Sequence, residues 1–205
     1  QDVLRRTMFP IGHLTKRRVR DLARRFGLPV AEKPDSQGIC FIGKVDIAAF
    51  LRTRIPSKPG DIVDAEGVVI GRHEGLDRYT VGQRQHIAIA SDHPWYVANK
   101  DLATNRLIVV GRDDHPMLTA MSAVVTDLRW TRGRRPRMPF RARVQVRYRQ
   151  DPVAATVSTG MDERVVSVTF DIPVKAVAPG QSAVFFAGDE CLGGGIVVTA
   201  GERWT

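Results

Sequence analysis

Long hydrophobic runs are missing from this 205-residue chain: nothing approaches the run of about 18 apolar residues that a membrane-spanning helix requires. Cysteine is scarce. Cys40 and Cys191 stand far apart, which excludes a disulfide framework and any zinc pattern built on paired cysteines. The histidines at 13, 73, 86, 93 and 115 share no ligand spacing with either thiol, so no metal is expected. The chain opens Gln-Asp-Val-Leu-Arg-Arg, without an initiator methionine or an apolar signal segment, and is expected to be part of something longer. No internal repeat or low-complexity tract stands out. A reducing, cytoplasmic setting is the expectation, with no membrane partner.

Acid is in deficit. Against 22 Asp and Glu there are 31 Lys and Arg, for a net charge of +9 and a pI of about 10.2. A polyanion is the first partner to consider, nucleic acid before a membrane surface. Compositional drift explains why 25 of the 31 basic residues are Arg. It does not explain where they cluster. Arginines stand at 129, 132, 134, 135, 137, 141, 143, 147 and 149, with no acid between the first and the last. Arg141, Arg143, Arg147 and Arg149 share one parity and would line one face of a strand, with Phe140, Ala142, Val144 and Val146 on the other. Tyr148 lies among the cations, placed to stack on a base. Phosphate contact plus stacking is a common way to hold RNA. The alternative is a solvated barrel exterior. Like charges without intervening acid repel, which favours the RNA reading.

The rest of the chain reads as a short helical segment followed by strands. Thr15 is a candidate N-cap, Val19, Leu22, Ala23 and Phe26 recur at helical spacing, and Gly27 suits the position after the C-cap, predicting a helix over 16–26. Lys16, Arg17 and Arg18 sit in its first turn, the unfavourable end for cations. A shorter helix is expected over 45–52, with Ile47, Phe50 and Leu51 inward, ended by Pro56 and Pro59. Hairpins follow at 61–63 with 68–70 and at 95–98 with 107–110. Between them, Tyr79-Thr80-Val81-Gly82-Gln83-Arg84 is either a contact loop or a surface turn. Strands are predicted at 123–130, 140–148, 153–158, 164–170, 174–177, 183–187 and 195–199, and their regular spacing argues for a small closed barrel. Ala178-Pro179-Gly180-Gln181 forms a tight turn. Gly193-Gly194-Gly195 lets the backbone bend or approach a neighbour closely. The expected class is α+β, mainly β: a helical N-terminal segment, a small central α/β domain and a C-terminal antiparallel β-barrel.

Lys33-Pro34-Asp35-Ser36-Gln37-Gly38-Ile39-Cys40-Phe41-Ile42-Gly43 sets a polar, turn-prone loop ahead of a short apolar run that holds a thiol. Cys40 is either a reactive thiol or a small buried hydrophobe.

Taken with Phe9 through Lys16, Tyr79 through Arg84, Arg147-Tyr148-Arg149-Gln150, Pro179 through Phe185 and Cys191-Leu192-Gly193-Gly194-Gly195-Ile196, this stretch resembles the tRNA-specific 2-thiouridylases, the MnmA/TrmU family. The motifs come in the family's order along essentially the whole chain. The resemblance implies that ATP, with Mg2+, adenylates the C2 oxygen of a wobble uridine in tRNA. A cysteine persulfide, loaded by a sulfur-relay donor protein, then supplies sulfur to C2. Cys40 matches the persulfide-carrying cysteine, Arg147 and Tyr148 the tRNA-contacting pair, and Gln181 a further tRNA contact. Arg143 and Arg149 on the stripe, and Gln83 and Arg84 in the loop, are additional candidate contacts. Cys191 matches a buried barrel position. A disulfide bond and a monomeric state belong to the same expectation. The implied division is a catalytic-domain tail over 1–44, a linker domain over 45–116 and a tRNA-docking barrel over 117–205.

Two departures bear on activity. The family's ATP-pyrophosphatase domain opens with a Ser-Gly-Gly-x-Asp-Ser loop, which this sequence does not contain, so ATP is expected to bind outside these residues and the chain alone to be inactive. Gln85-His86-Ile87-Ala88-Ile89 also differs from the Gly-rich, Lys-containing run of the family. Other readings are a non-catalytic RNA-binding barrel and a stand-alone sulfur carrier.

Overall fold

The computed structural model describes residues 2–34, 57–87, 89–148 and 150–201. The predicted helix over 45–52, the loop that holds Cys40, and Arg149 lie outside these residues. The chain divides into two compact units, Gln1–Arg54 and Ile55–Thr205.

In the first unit a short helix α1 (Asp2–Arg5) precedes α2 (Lys16–Arg25). Thr15 caps α2 by accepting from the Arg18 N–H at 3.4 Å. At the other end Gly27, at φ +63°, donates to Arg24 O, and Leu28 donates to Ala23 O. Those two bonds make a Schellman close, which a residue with a Cβ would strain. Arg20 then ties the following segment back onto the helix: its guanidinium donates to Ala31 O and Lys33 O, both at 3.0 Å. Arg24 adds Glu32 at 2.5 Å and Asp21 at 3.0 Å. Phe26, expected to face inward, is 68% exposed. The apolar face of α2 narrows to Val19, Leu22 and Ala23, which are half-buried.

The second unit holds a four-stranded sheet and a barrel. The sheet runs β1 (Gly60–Val63), β2 (Val69–His73), β3 (Tyr96–Asp101) and β4 (Arg106–Val110), in spatial order β2-β1-β4-β3. The two hairpins seen in the sequence therefore share one sheet, joined by a parallel β1–β4 pairing. Ile62, Val97, Leu107 and Val109 are its fully buried centre, covered by Leu76 and Tyr79. Burial pushes the Tyr79 hydroxyl above the ordinary tyrosine pKa.

The barrel comprises β5 (Thr119–Trp130), β6 (Phe140–Gln145), β7 (Val153–Thr159), β8 (Val166–Lys175), β9 (Ser182–Ala187) and β10 (Glu190–Gly201), closed in the order β10-β5-β8-β7-β6-β9. Alternate residues point inward: Ala142 and Val144 from β6, Ala155 and Val157 from β7, Val166, Val168 and Phe170 from β8. Phe185 stacks on Trp130 (centroids 5.7 Å apart) and meets Phe140 edge-on. Closure leaves the barrel itself no free sheet edge, which is how a half-apolar strand set avoids pairing with other chains.

Several strand boundaries differ from expectation, β5 among them, which starts at Thr119 where 123 was predicted. The strand predicted over 140–148 ends at Gln145, where the hairpin to β7 begins. The segments predicted over 164–170 and 174–177 form one strand, β8, because its bend is absorbed as a register shift against β5. The last strand starts at Glu190, since Gly193 and Gly194 pair with both β5 and β9.

At Gly194 a side chain has no room. An added Cβ would run into Ala183 O, with Val184 Cα only 3.3 Å away. Gly194→Ala is expected to destabilise the barrel by about 1–3 kcal/mol, the usual cost of overpacking. Urea unfolding checks this, and an unchanged midpoint would contradict the close approach.

Candidate nucleic-acid interface

Antiparallel closure gives the barrel two rims. One carries the β6–β7 connection (146–152) and the β8–β9 connection (176–181). The other carries the β5–β6, β7–β8 and β9–β10 connections. The basic cluster, continuous in sequence, is split between them by β6, whose six residues span roughly 20 Å at the usual strand rise.

On the second rim the arginines have partners that the sequence window hid. Arg132 makes a two-pronged bond to Glu190, at 2.8 and 2.9 Å. Arg135 donates to Glu163 O (3.0 Å) and Thr159 Oγ1 (3.2 Å). Asp162 and Asp189 lie in the same turns. On the wall, Arg141 pairs with Asp171 of β8 and Thr156 of β7. That hydrogen bond lifts the Arg141 pKa and holds the Asp171 carboxyl below the usual carboxylate range. Arg143 stays exposed but donates to Pro152 O, at 3.2 and 3.3 Å. Two of the nine cations, Arg132 and Arg141, are thus answered by acids from other strands, and Arg135 and Arg143 by backbone carbonyls, so the stretch is not the wholly unrelieved run of like charge expected from the sequence.

The first rim is different. Val146 is buried and anchors the start of the β6–β7 connection. Gln145 Nε2 donates to Gln150 O at 2.6 Å and the Gln150 N–H to Arg147 O at 3.1 Å, so the turn is held. Arg147 and Tyr148 project from it, both exposed, the tyrosine by 85%. Gln181 is exposed on the adjacent connection, its backbone paired with Val197 and Ala178. Arg147, Tyr148 and Gln181 therefore share one rim.

The Tyr79–Arg84 segment is pinned at nearly every residue. Gly82 N donates to Val97 O at 2.7 Å and Val97 N to Gln83 O at 2.9 Å. The Gln83 side chain accepts from Thr80 N (3.1 Å) and donates to Gln85 O (2.7 Å), so both its polar ends serve the loop itself. Lys100 Nζ donates to Tyr79 O at 3.0 Å. Arg84 is exposed beside it. This loop meets the barrel at Arg147: together with Gly82, Ala176 and Tyr96, and the Lys175–Asp113 ion pair (3.2 Å), Arg147 lines a cleft of about 180 Å3. Sequence reasoning missed Lys175, Asp113 and Ala176. Only strand register brings them here, and no local signal marks them.

Two further groups call for a reading. Ser91 Oγ (3.1 Å) and Asp92 Oδ1 (2.8 Å) both approach His93 Nδ1. Sharing one ring nitrogen, they cannot relay a proton across the imidazole as a triad does. Among the described residues no cluster of His, Cys, Asp or Glu could hold a metal, and no helix is long and apolar enough to cross a membrane. Cys191, expected at a buried position, is exposed at the start of β10, and it is a free thiol.

Three family models match the chain: a tRNA methyl transferase HUP domain over 1–44, a tRNA methyl transferase PRC-barrel domain over 48–111 and an aminomethyltransferase beta-barrel domain over 121–197. Among curated relatives, the tRNA-specific 2-thiouridylase MnmA of Shewanella denitrificans is 46% identical over 94% of this chain and 53% of its own length. The protein of the same name from Lacticaseibacillus paracasei is 44% identical over 98% of this chain and 54% of its own. That of Francisella tularensis is 43% identical over 97% and 56%. The chain spans about half the length of the curated relatives it matches.

Because its thiol is exposed, Cys191→Ser is expected to change stability by less than about 0.5 kcal/mol. A thiol reagent should label Cys191 in the folded chain. Failure to label it without denaturant would return it to the interior.

Proposed function

The chain belongs to the tRNA-specific 2-thiouridylase family, and from that premise we propose that it is the sulfur-carrying and tRNA-docking part of a tRNA-uridine 2-sulfurtransferase. The assigned roles are residue by residue. Cys40 carries the persulfide. Arg147 contacts a phosphate, Tyr148 stacks on a base and Gln181 adds a polar contact. Arg84, Arg143 and Arg149 extend the surface, while Gln83 supports its own loop. The tail over 1–44 brings the thiol, the segment over 45–116 links, and the barrel over 117–205 docks the RNA.

The chemistry follows from what C2 of uridine requires. Its oxygen is a poor leaving group until ATP, with Mg2+, converts it to an adenylate, a step assigned to residues beyond this chain. The chain by itself is then inactive toward ATP. The terminal sulfur of the Cys40 persulfide attacks C2 and AMP departs with the oxygen. A second thiolate then attacks Cys40 Sγ and breaks the S–S bond. The new sulfur stays on the uridine and a disulfide is left, which a thiol reductant reopens. A persulfide is more acidic and more nucleophilic than a thiol, so the attack runs near neutral pH. A sulfur-relay donor reloads Cys40. The protein works in the cytoplasm as a monomer.

The observation that supports the docking part is the shared rim of Arg147, Tyr148 and Gln181, all three exposed on connections held by backbone and side-chain hydrogen bonds. Incubation with a persulfide donor should add one sulfur to wild type and to Cys191→Ser but not to Cys40→Ser, read by intact mass. In the longer protein, Cys40→Ser should abolish 2-thiouridine formation with tRNA binding nearly intact. Sulfur retained by Cys40→Ser would end the assignment. A chain that binds tRNA but never takes up sulfur would be a non-catalytic RNA-binding barrel.

The docking surface has its own test. Arg147→Ala should weaken tRNA binding and flatten its salt dependence by about one unit. Tyr148→Ala should cost roughly 1–3 kcal/mol with little change in slope. Arg164→Ala, on the other rim, should do neither. Equal small losses in all three would leave only generic electrostatics.

A further inference from the structure

We infer that Gly82 is a positioning residue for RNA binding: the Tyr79–Arg84 loop is a fixed wall that pre-orders the Arg147 guanidinium on the barrel rim. This rests on the docking role proposed for Arg147. Gly82 has φ +82°, and a Cβ added there would stand 2.5 Å from Ala176 Cβ and 3.2 Å from Arg147 Nη1. The absent side chain thus lets the loop close on Ala176 with the arginine against its edge. Neither wall can yield. The loop is held by bonds from Gly82, Gln83 and Lys100, over buried Tyr79 and Val81. On the barrel side, Ala176 is buried at φ +56° and donates its N–H to Leu118 O at 2.8 Å.

Charge supports the same role. Asp113 is the one acid lining the cleft, and Lys175 occupies it at 3.2 Å. Arg147 keeps its charge for an outside anion, which in the docking reading is an RNA phosphate. A long exposed side chain loses rotamer freedom when it binds. One already seated against a wall loses less and so binds more tightly. The small sheet thus contributes to RNA affinity through a residue that makes no RNA contact.

The experiment is tRNA binding by the chain as a function of salt. Gly82→Asn is the variant of choice, since asparagine tolerates positive φ and so tests the space more than the backbone. It should flatten the salt slope by about one unit, as Arg147→Ala does. The Gly82→Asn/Arg147→Ala double variant should be no worse than either alone, because both remove one contact. Adding Ala176→Gly to Gly82→Asn should restore part of the slope by clearing the space. If Gly82→Asn does not fold, Ala176→Asn crowds the same seat from the barrel side and suits the positive φ there. A lowered melting midpoint with a wild-type slope, or an effect that adds to Arg147→Ala, overturns the positioning role alone. A wild-type slope for Arg147→Ala overturns the docking reading and the positioning role with it.

Discussion

Six strands, each apolar on one face only, can bury that face by closing on one another, and the layout of the barrel's rims and walls follows from this closure. The fully buried side chains are mostly valine and alanine, with Phe170 and Phe185 filling the wider space. Such residues fit the interior of a narrow barrel. Function is therefore pushed to the rims and walls. The Gly193–Gly195 run permits the closure, since β10 must lie close against β5 and β9 at once.

Closure also sorts charge. A single strand, β6, carries the chain from one rim to the other, so arginines a few residues apart in sequence end at opposite ends of the barrel. Those at one end meet Glu190 and the turn around Glu163. Arg141 on the wall meets Asp171. Exposed pairs of this kind contribute little to stability, but they cancel local charge. At the other end an exposed arginine and tyrosine stand on a turn held by Gln145 and Gln150. The fold thus divides a continuous basic stretch between two rims, one of which holds the candidate contact.

Cys40 and the Arg147–Tyr148 turn, the two sites proposed to act, fall in different units of the chain. That division suits a reaction in which one part must recognise a large folded RNA while another delivers a single atom. In that reading recognition sits on one rim of a closed barrel, on a turn held by its own hydrogen bonds. Delivery needs an approach to C2, and the proposed persulfide lengthens the reach of Cys40 by one sulfur while raising its reactivity. Arg20, bonded to two carbonyls, fixes the backbone as far as Lys33, just ahead of the stretch that holds Cys40.

The sequence by itself determined whatever depends on neighbours along the chain. The capped helix from Thr15 to Gly27 was legible because capping is local, and the strands because burial alternates with period two. Parity placed Arg141 and Arg143 outside and Val144 inside. The motifs around Cys40, Arg147 and Gln181 were legible as residue strings, which the family comparison bears out for the family alone. Tertiary structure decided what depends on pairing. Strand order and register are set by the summed packing of all six strands, so no window of sequence shows that Asp171 faces Arg141, that Cys191 is exposed, or that Gly82 stands against Arg147. These features depend on residues distant in sequence, which only the paired strands of the sheet and the closed barrel bring together.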